Sequence, residues 1–189
     1  MNRQFIGSTS AFATFTTFTL ASLLAGCASA PGAADKPPVV PDSLKVPAGQ
    51  QLSQALRATG IQIYECRQHK DDAQKYEWVF KAPEATLLDK AGNKVGKHYE
   101  GPTWESNDGS KVVGEVKGRD NGPDAAAIPW LLLSAKSVTG KGVFSETQSI
   151  QRLYTAAGKA PSTECNAKLK GAEERVPYTA TYYFYVAGK

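Results

Sequence analysis

The chain has 189 residues, 22 basic and 18 acidic side chains, a formal net charge of +4, three cysteines and two histidines. Its lysines are scattered singly, with no basic run and no arginine stripe interleaved with aromatics, so nucleic acid is not an expected partner. Once the first 27 residues are removed, about 140 residues remain beyond a proline-rich stretch, enough for one domain with a sizeable core.

Arg3 is the only charged residue before Cys27, and the stretch from Ala11 to Leu24 is apolar but diluted by threonine. A basic start, a short apolar stretch and small residues after it read as a secretory signal. The stretch is too short and too broken for a permanent transmembrane helix. Leu24-Ala25-Gly26-Cys27 resembles the lipobox of bacterial lipoproteins, in which the cysteine thiol is diacylated and becomes the new N-terminus. The competing reading is ordinary cleavage at Ala28-Ser29-Ala30, with Cys27 discarded. The lipobox resemblance implies a membrane partner through a lipid on Cys27. Ala28, rather than an aspartate, follows the cysteine, which implies the outer membrane. Two or three acyl chains suffice for stable anchoring, at about 0.8 kcal/mol per buried methylene.

Residues 27–48 read as the lipidated cysteine and a Pro/Ala-rich tether, after a signal peptide over 1–26. Residues 49–189 read as one β-rich domain. It contains Cys66 and Cys165, an even pair in an oxidising space and therefore most simply a disulfide. Half of a metal site at Cys66-Arg67-Gln68-His69 is the alternative, but no second close pair completes it, and no metal is expected.

Within the domain, residues 50–58 (QQLSQALRA) suggest a short helix, with Leu52 and Leu56 four apart. Strand patterns follow. Residues 61–67 (IQIYECR) alternate, and 76–80 (YEWVF) are aromatic and β-branched. A turn at Lys90-Ala91-Gly92-Asn93 joins two more strands as a hairpin, and Asn107-Asp108-Gly109 makes another turn before 111–117 (KVVGEVK). Residues 130–137 (WLLLSAKS), 147–155 (TQSIQRLYT) and 178–186 (YTATYYFYV) complete the set, the last with Tyr178, Ala180, Tyr182, Phe184 and Val186 on one face. Asp124 to Ala127 suggests one helical turn. Seven to nine short strands with Gly and Pro punctuation predict an all-β, mainly antiparallel sandwich or barrel with one or two short helices.

Five phrases occur in order: ATGIQIYECR, HYEGPTWESNDGS, IPWLLLSA, SIQRLYT and VPYTATYYFY. Over about residues 58–185 the chain resembles the DUF3455 family, secreted proteins with no established activity. The resemblance implies no cofactor. The nearest approach to a dinucleotide fingerprint, Gly140-Lys141-Gly142-Val143-Phe144-Ser145, lacks the third glycine and a following helix pattern.

Candidate site residues cluster at 96–110 (GKHYEGPTWESNDGS). On a functional reading, His98 supplies an acid, base or polar handle with Glu105 and Asp108 as carboxylate partners, and Tyr99, Trp104 and Trp130 supply flat walls for a ligand. On a structural reading, Gly101-Pro102 and Asn107-Asp108-Gly109 are turns, Trp104 is a core residue whose N–H finds a carbonyl, and His98 is a satisfied strand histidine. Arg152 alternates with apolar residues, a pattern that usually pairs with a half-buried carboxylate and sometimes binds an anion. No catalytic motif is present. Three functions stay open: a lipid-anchored binding module for a small polar or aromatic ligand, an envelope interaction protein whose protein partner the sequence does not name, and a hydrolase using His98 and a carboxylate.

Overall fold

The structure, a computed structural model, describes Met1 and residues 36–188. The expected signal peptide and Cys27 lie outside the described residues. Eight strands follow one another: β1 (Gln50–Gln68), β2 (Tyr76–Leu88), β3 (Lys94–Tyr99), β4 (Thr103–Ser106), β5 (Lys111–Asp120), β6 (Trp130–Thr139), β7 (Ser149–Ala157) and β8 (Glu173–Ala187). Each pairs antiparallel with the next, and β8 returns to β1, so the sheet closes into an up-and-down barrel. Closure leaves no unpaired edge in the sheet.

Alternation decides which side chains enter the barrel. On β8, Tyr178, Ala180, Tyr182 and Phe184 are buried inside. They meet Leu56 and Ala58 of β1, Ile150 of β7, and Leu131 and Leu133 of β6 in one apolar cluster. Outward positions carry charge instead, including the Arg175–Glu84 pair and the Lys97–Glu105–Lys111 group. An apolar lumen and a charged exterior are the reverse of a membrane-spanning barrel.

Residues 50–58 are strand, not helix. Leu52 and Leu56 are four apart but also share the period-two parity of Gln54 and Ala58, and β8 supplies the partners Leu56↔Tyr182 and Ala58↔Ala180. Among the described residues the helical elements are two 3-10 turns, Asp42–Leu44 and Ala167–Leu169. Asp124 to Ala127 forms a hydrogen-bonded turn rather than the expected helical one, with the Ala127 N–H donating to the Asp124 carbonyl at 3.1 Å.

The stretch before residue 49 is not all loose tether. Leu44 is fully buried on the outer wall, where its carbonyl accepts from Gln151 Nε2 at 2.7 Å. The Tyr185 hydroxyl in turn donates to Gln151 Oε1 at 2.7 Å. Gly118 makes room for this strap, since a Cβ there would lie 2.1 Å from the Ser43 carbonyl oxygen.

The barrel's two ends differ. At the end of the β2–β3, β4–β5 and β6–β7 connections, the lumen is stopped by Phe144, which is fully buried against Phe184 with ring centroids 4.6 Å apart. The other end, with the β1–β2, β3–β4, β5–β6 and β7–β8 connections, opens into a cavity.

Candidate functional site

That cavity has a volume of about 640 Å³ and is lined by residues of most strands, with Gln62, His98, Trp104, Leu131, Arg152 and Tyr182 forming its inner wall. Phe80, Val116 and Arg119 stand nearer its mouth, where Phe80 and Val116 are about half exposed.

The β3–β4 hairpin places two of these groups. The positive φ of Gly101, 88°, turns the chain so sharply that His98 and Trp104 become register partners. Both point inward, and their rings stack 4.4 Å apart at 16°. Tyr182 closes on the pair from β8, with its centroid 5.0 Å from His98 and 5.2 Å from Trp104. Gly114 opposite must lack a side chain, because a Cβ would lie 2.9 Å from Trp104 Cζ3.

His98 is 3% exposed, and its Nδ1 sits 2.9 Å from the Thr103 carbonyl oxygen. A carbonyl only accepts, so Nδ1 carries the proton and Nε2 is left as a lone-pair acceptor. Burial, reinforced by the Arg152 charge and opposed by the Thr103 bond, lowers the histidine pKa to about 3. The ring is therefore neutral at physiological pH. Burial likewise raises the pKa of Tyr182, and that of Tyr178, whose hydroxyl lies 3.4 Å from the Tyr182 hydroxyl.

Arg152 brings the inner wall its positive charge. Its Nε and Nη2 donate to the Pro129 carbonyl at 3.1 and 2.8 Å, and no described carboxylate lies within ion-pair distance. The half-buried carboxylate that the sequence pattern suggests is absent among the described residues. Among the described residues, buried Trp104 Nε1 has no hydrogen-bond partner, and Gln62 Nε2 has none of good geometry, although Gln62 interacts with the Tyr178 hydroxyl. The expectation that the Trp104 N–H finds a carbonyl is thus overturned, because stacking on His98 fixes the indole plane before its N–H reaches an acceptor.

The inner rim is built by β7. Its ladder bulges between Leu153 and Ala156, with Tyr154 and Ala157 at left-handed φ values of 50° and 55°. The bulge aims the Thr155 hydroxyl at the Ile128 carbonyl, 2.6 Å away, while the Ile128 N–H donates to Ala157 O at 2.8 Å. Residues 127–129 are thereby folded over the cavity, with Arg152 under their last carbonyl. Bulges often re-aim side chains beside functional sites. At the same rim the Cys66–Cys165 disulfide ties the β7–β8 connection to the end of β1, and the Tyr64 hydroxyl donates to the Gly158 carbonyl at 2.7 Å.

The other sequence candidates lie elsewhere. Tyr99 and Glu105 neighbour inward residues and so face outward, where the Tyr99 hydroxyl donates to Glu105 at 2.7 Å and Lys97 and Lys111 neutralise the carboxylate. Asp108 belongs to the stopped end. It accepts from the Ser110 hydroxyl at 2.6 Å and from the N–H groups of Ser110 and Val143 at 2.8 and 2.9 Å, which lower its pKa to about 2. Trp130 packs edge-on against Tyr154 at 5.4 Å and does not line the cavity. Conversely, Gln62 and Tyr182 line it without having stood out in the sequence; their shared inward parity with Tyr64 and Tyr178 is the feature that could have found them.

A family described as a protein of unknown function, DUF3455, matches residues 47–186. The chain belongs to the DUF3455 family. The match begins just before β1 and ends one residue short of the end of β8, so every cavity-lining residue named above falls within the DUF3455 segment. No curated protein and no solved structure matches the chain.

Proposed function

We propose that this protein is a lipid-anchored binding module of the cell envelope, holding one small ligand with a flat apolar body inside its barrel. The cavity carries this reading: about 640 Å³, entered from one rim and stopped at the other by Phe144. Ligand sites commonly occupy roughly 300 to 1,000 Å³, mostly apolar with a few placed polar groups. Eight strands give a barrel just wide enough to be filled by side chains or to hold one small ligand. Half-exposed Phe80 and Val116 at the mouth offer apolar surface for such a body, above a packed floor of His98, Trp104 and Tyr182.

Leu24-Ala25-Gly26-Cys27 supports the anchor, and Ala28 after the cysteine supports the outer membrane as its destination. The hydrolase alternative gains nothing from the geometry. A general base works best with a pKa near the operating pH, whereas His98 is held to about 3; Glu105 and Asp108 lie outside the cavity, and Glu100, which lines it, has no titrating histidine to work with.

Native mass spectrometry of the mature protein taken from its own envelope tests the proposal, beside Val116→Trp, which places bulk at the half-exposed mouth. The wild type should carry an added mass that denaturation releases, and the variant should carry much less. Bare protein in both preparations would contradict a binding role.

A further inference from the structure

We infer that the ligand is an organic acid whose anionic oxygens dock on Arg152 while its apolar body lies against Phe80 and Val116 at the cavity mouth. This rests on the binding role proposed above and names the class of molecule that fills it.

A guanidinium has five N–H donors; Arg152 places Nε and Nη2 on the single oxygen of Pro129 and also interacts with the neutral Tyr182 hydroxyl, neither of which supplies a counter-charge. A half-buried cation without a counter-charge is costly, and proteins ordinarily meet that cost with a carboxylate. None is within reach among the described residues. His98 offers an anion no donor, because its Nδ1 proton is already committed to the Thr103 carbonyl.

Arg152 is the reachable donor: it is partly exposed and lines the cavity, whereas Gln62 Nε2 and Trp104 Nε1 are closed to anything the size of water. A neutral hydrocarbon would leave the guanidinium without a counter-charge, and an ammonium ligand would add a second positive charge beside it. An anionic oxygen group answers both. Arg119 and Lys81 also line the cavity and, with Arg152, outweigh the single lining carboxylate, Glu100, along the entry path.

Three probes with one ring system and different charge test the inference by titration calorimetry on the mature full-length chain: 1-naphthoate, 1-naphthylmethanol and 1-naphthylmethylamine. Naphthoate should bind about tenfold or more tighter than the alcohol, the difference a charge-assisted hydrogen bond supplies, and the amine should bind weakest. Arg152→Gln should reduce naphthoate to the affinity of the alcohol while leaving the alcohol nearly unchanged, and Arg152→Lys should keep part of the preference. The wild-type series decides the charge preference even if Arg152→Gln fails to fold. Equal binding of all three probes overturns the organic-acid inference and leaves the binding role standing. A preference that survives in Arg152→Gln overturns the assignment to Arg152. No binding of any probe overturns both.

Discussion

His98 couples the stability of the barrel to pH, and the coupling measures how completely the site excludes charge. The ring lies between Trp104 and Tyr182, with its pKa lowered to about 3, chiefly by burial. In the unfolded chain a histidine titrates near 6.5. Because the folded value is depressed, the unfolded state takes up a proton that the native barrel refuses. The stability contribution is complete above about pH 6.5 and is lost as pH falls toward 3. At pH 5 the loss is about 2 kcal/mol and at pH 4 about 3 kcal/mol, from 1.36 kcal/mol per unit below the unfolded value. Asp108, also lowered, contributes in the same direction but mainly below its unfolded value near 3.8, so the interval from pH 7.5 to 5 is dominated by His98. Urea denaturation of wild type and His98→Phe at both pH values cancels the remaining groups. Wild type should lose about 2 kcal/mol more than the variant across the interval. Parallel losses would refute a buried neutral histidine and return His98 to the status of an accessible acid–base group.

Cys27→Ser should release the protein from membranes or stall its processing, and unchanged fractionation and mass would contradict lipidation. Reduction of Cys66–Cys165 frees two cysteines 99 residues apart and should lower stability by up to about 4 to 5 kcal/mol in the chain-entropy account. Two freely alkylated thiols in the native protein would defeat that pairing. Gly114→Ala should cost about 1 to 3 kcal/mol by overpacking, since its Cβ would meet Trp104 at 2.9 Å and Leu133 at 3.0 Å; a neutral effect would show that the indole is free to shift.

The strands were legible because the lumen selects one parity of side chains. Tyr178, Ala180, Tyr182 and Phe184 are buried together as their spacing predicts. Helix and strand periods coincide at Leu52 and Leu56, and only the partner strand β8 separates them, so residues 50–58 could not be assigned from within. Parity also divides the opening cluster: His98 and Trp104 point in, whereas their neighbours Tyr99 and Glu105 point out. Sequence proximity alone had grouped all four with Asp108. Gln62 was hidden for the opposite reason. Ile61 and Ile63 flank it and look like the inward set, yet Gln62 and Tyr64 face the cavity. Arg152 was visible as an anomaly. Whether a carboxylate meets it is a matter of three-dimensional distance, and no spacing along the chain encodes the answer.

The central claim is that the barrel holds a ligand at Arg152. A crystal structure of the mature protein, purified from its own envelope without added small molecules, tests it most directly. Continuous non-protein density is expected in the cavity, with oxygen atoms within about 3 Å of the Arg152 guanidinium and an apolar body against Phe80 and Val116. Side chains collapsed into the space, or scattered water with Arg152 turned out to solvent, would contradict it.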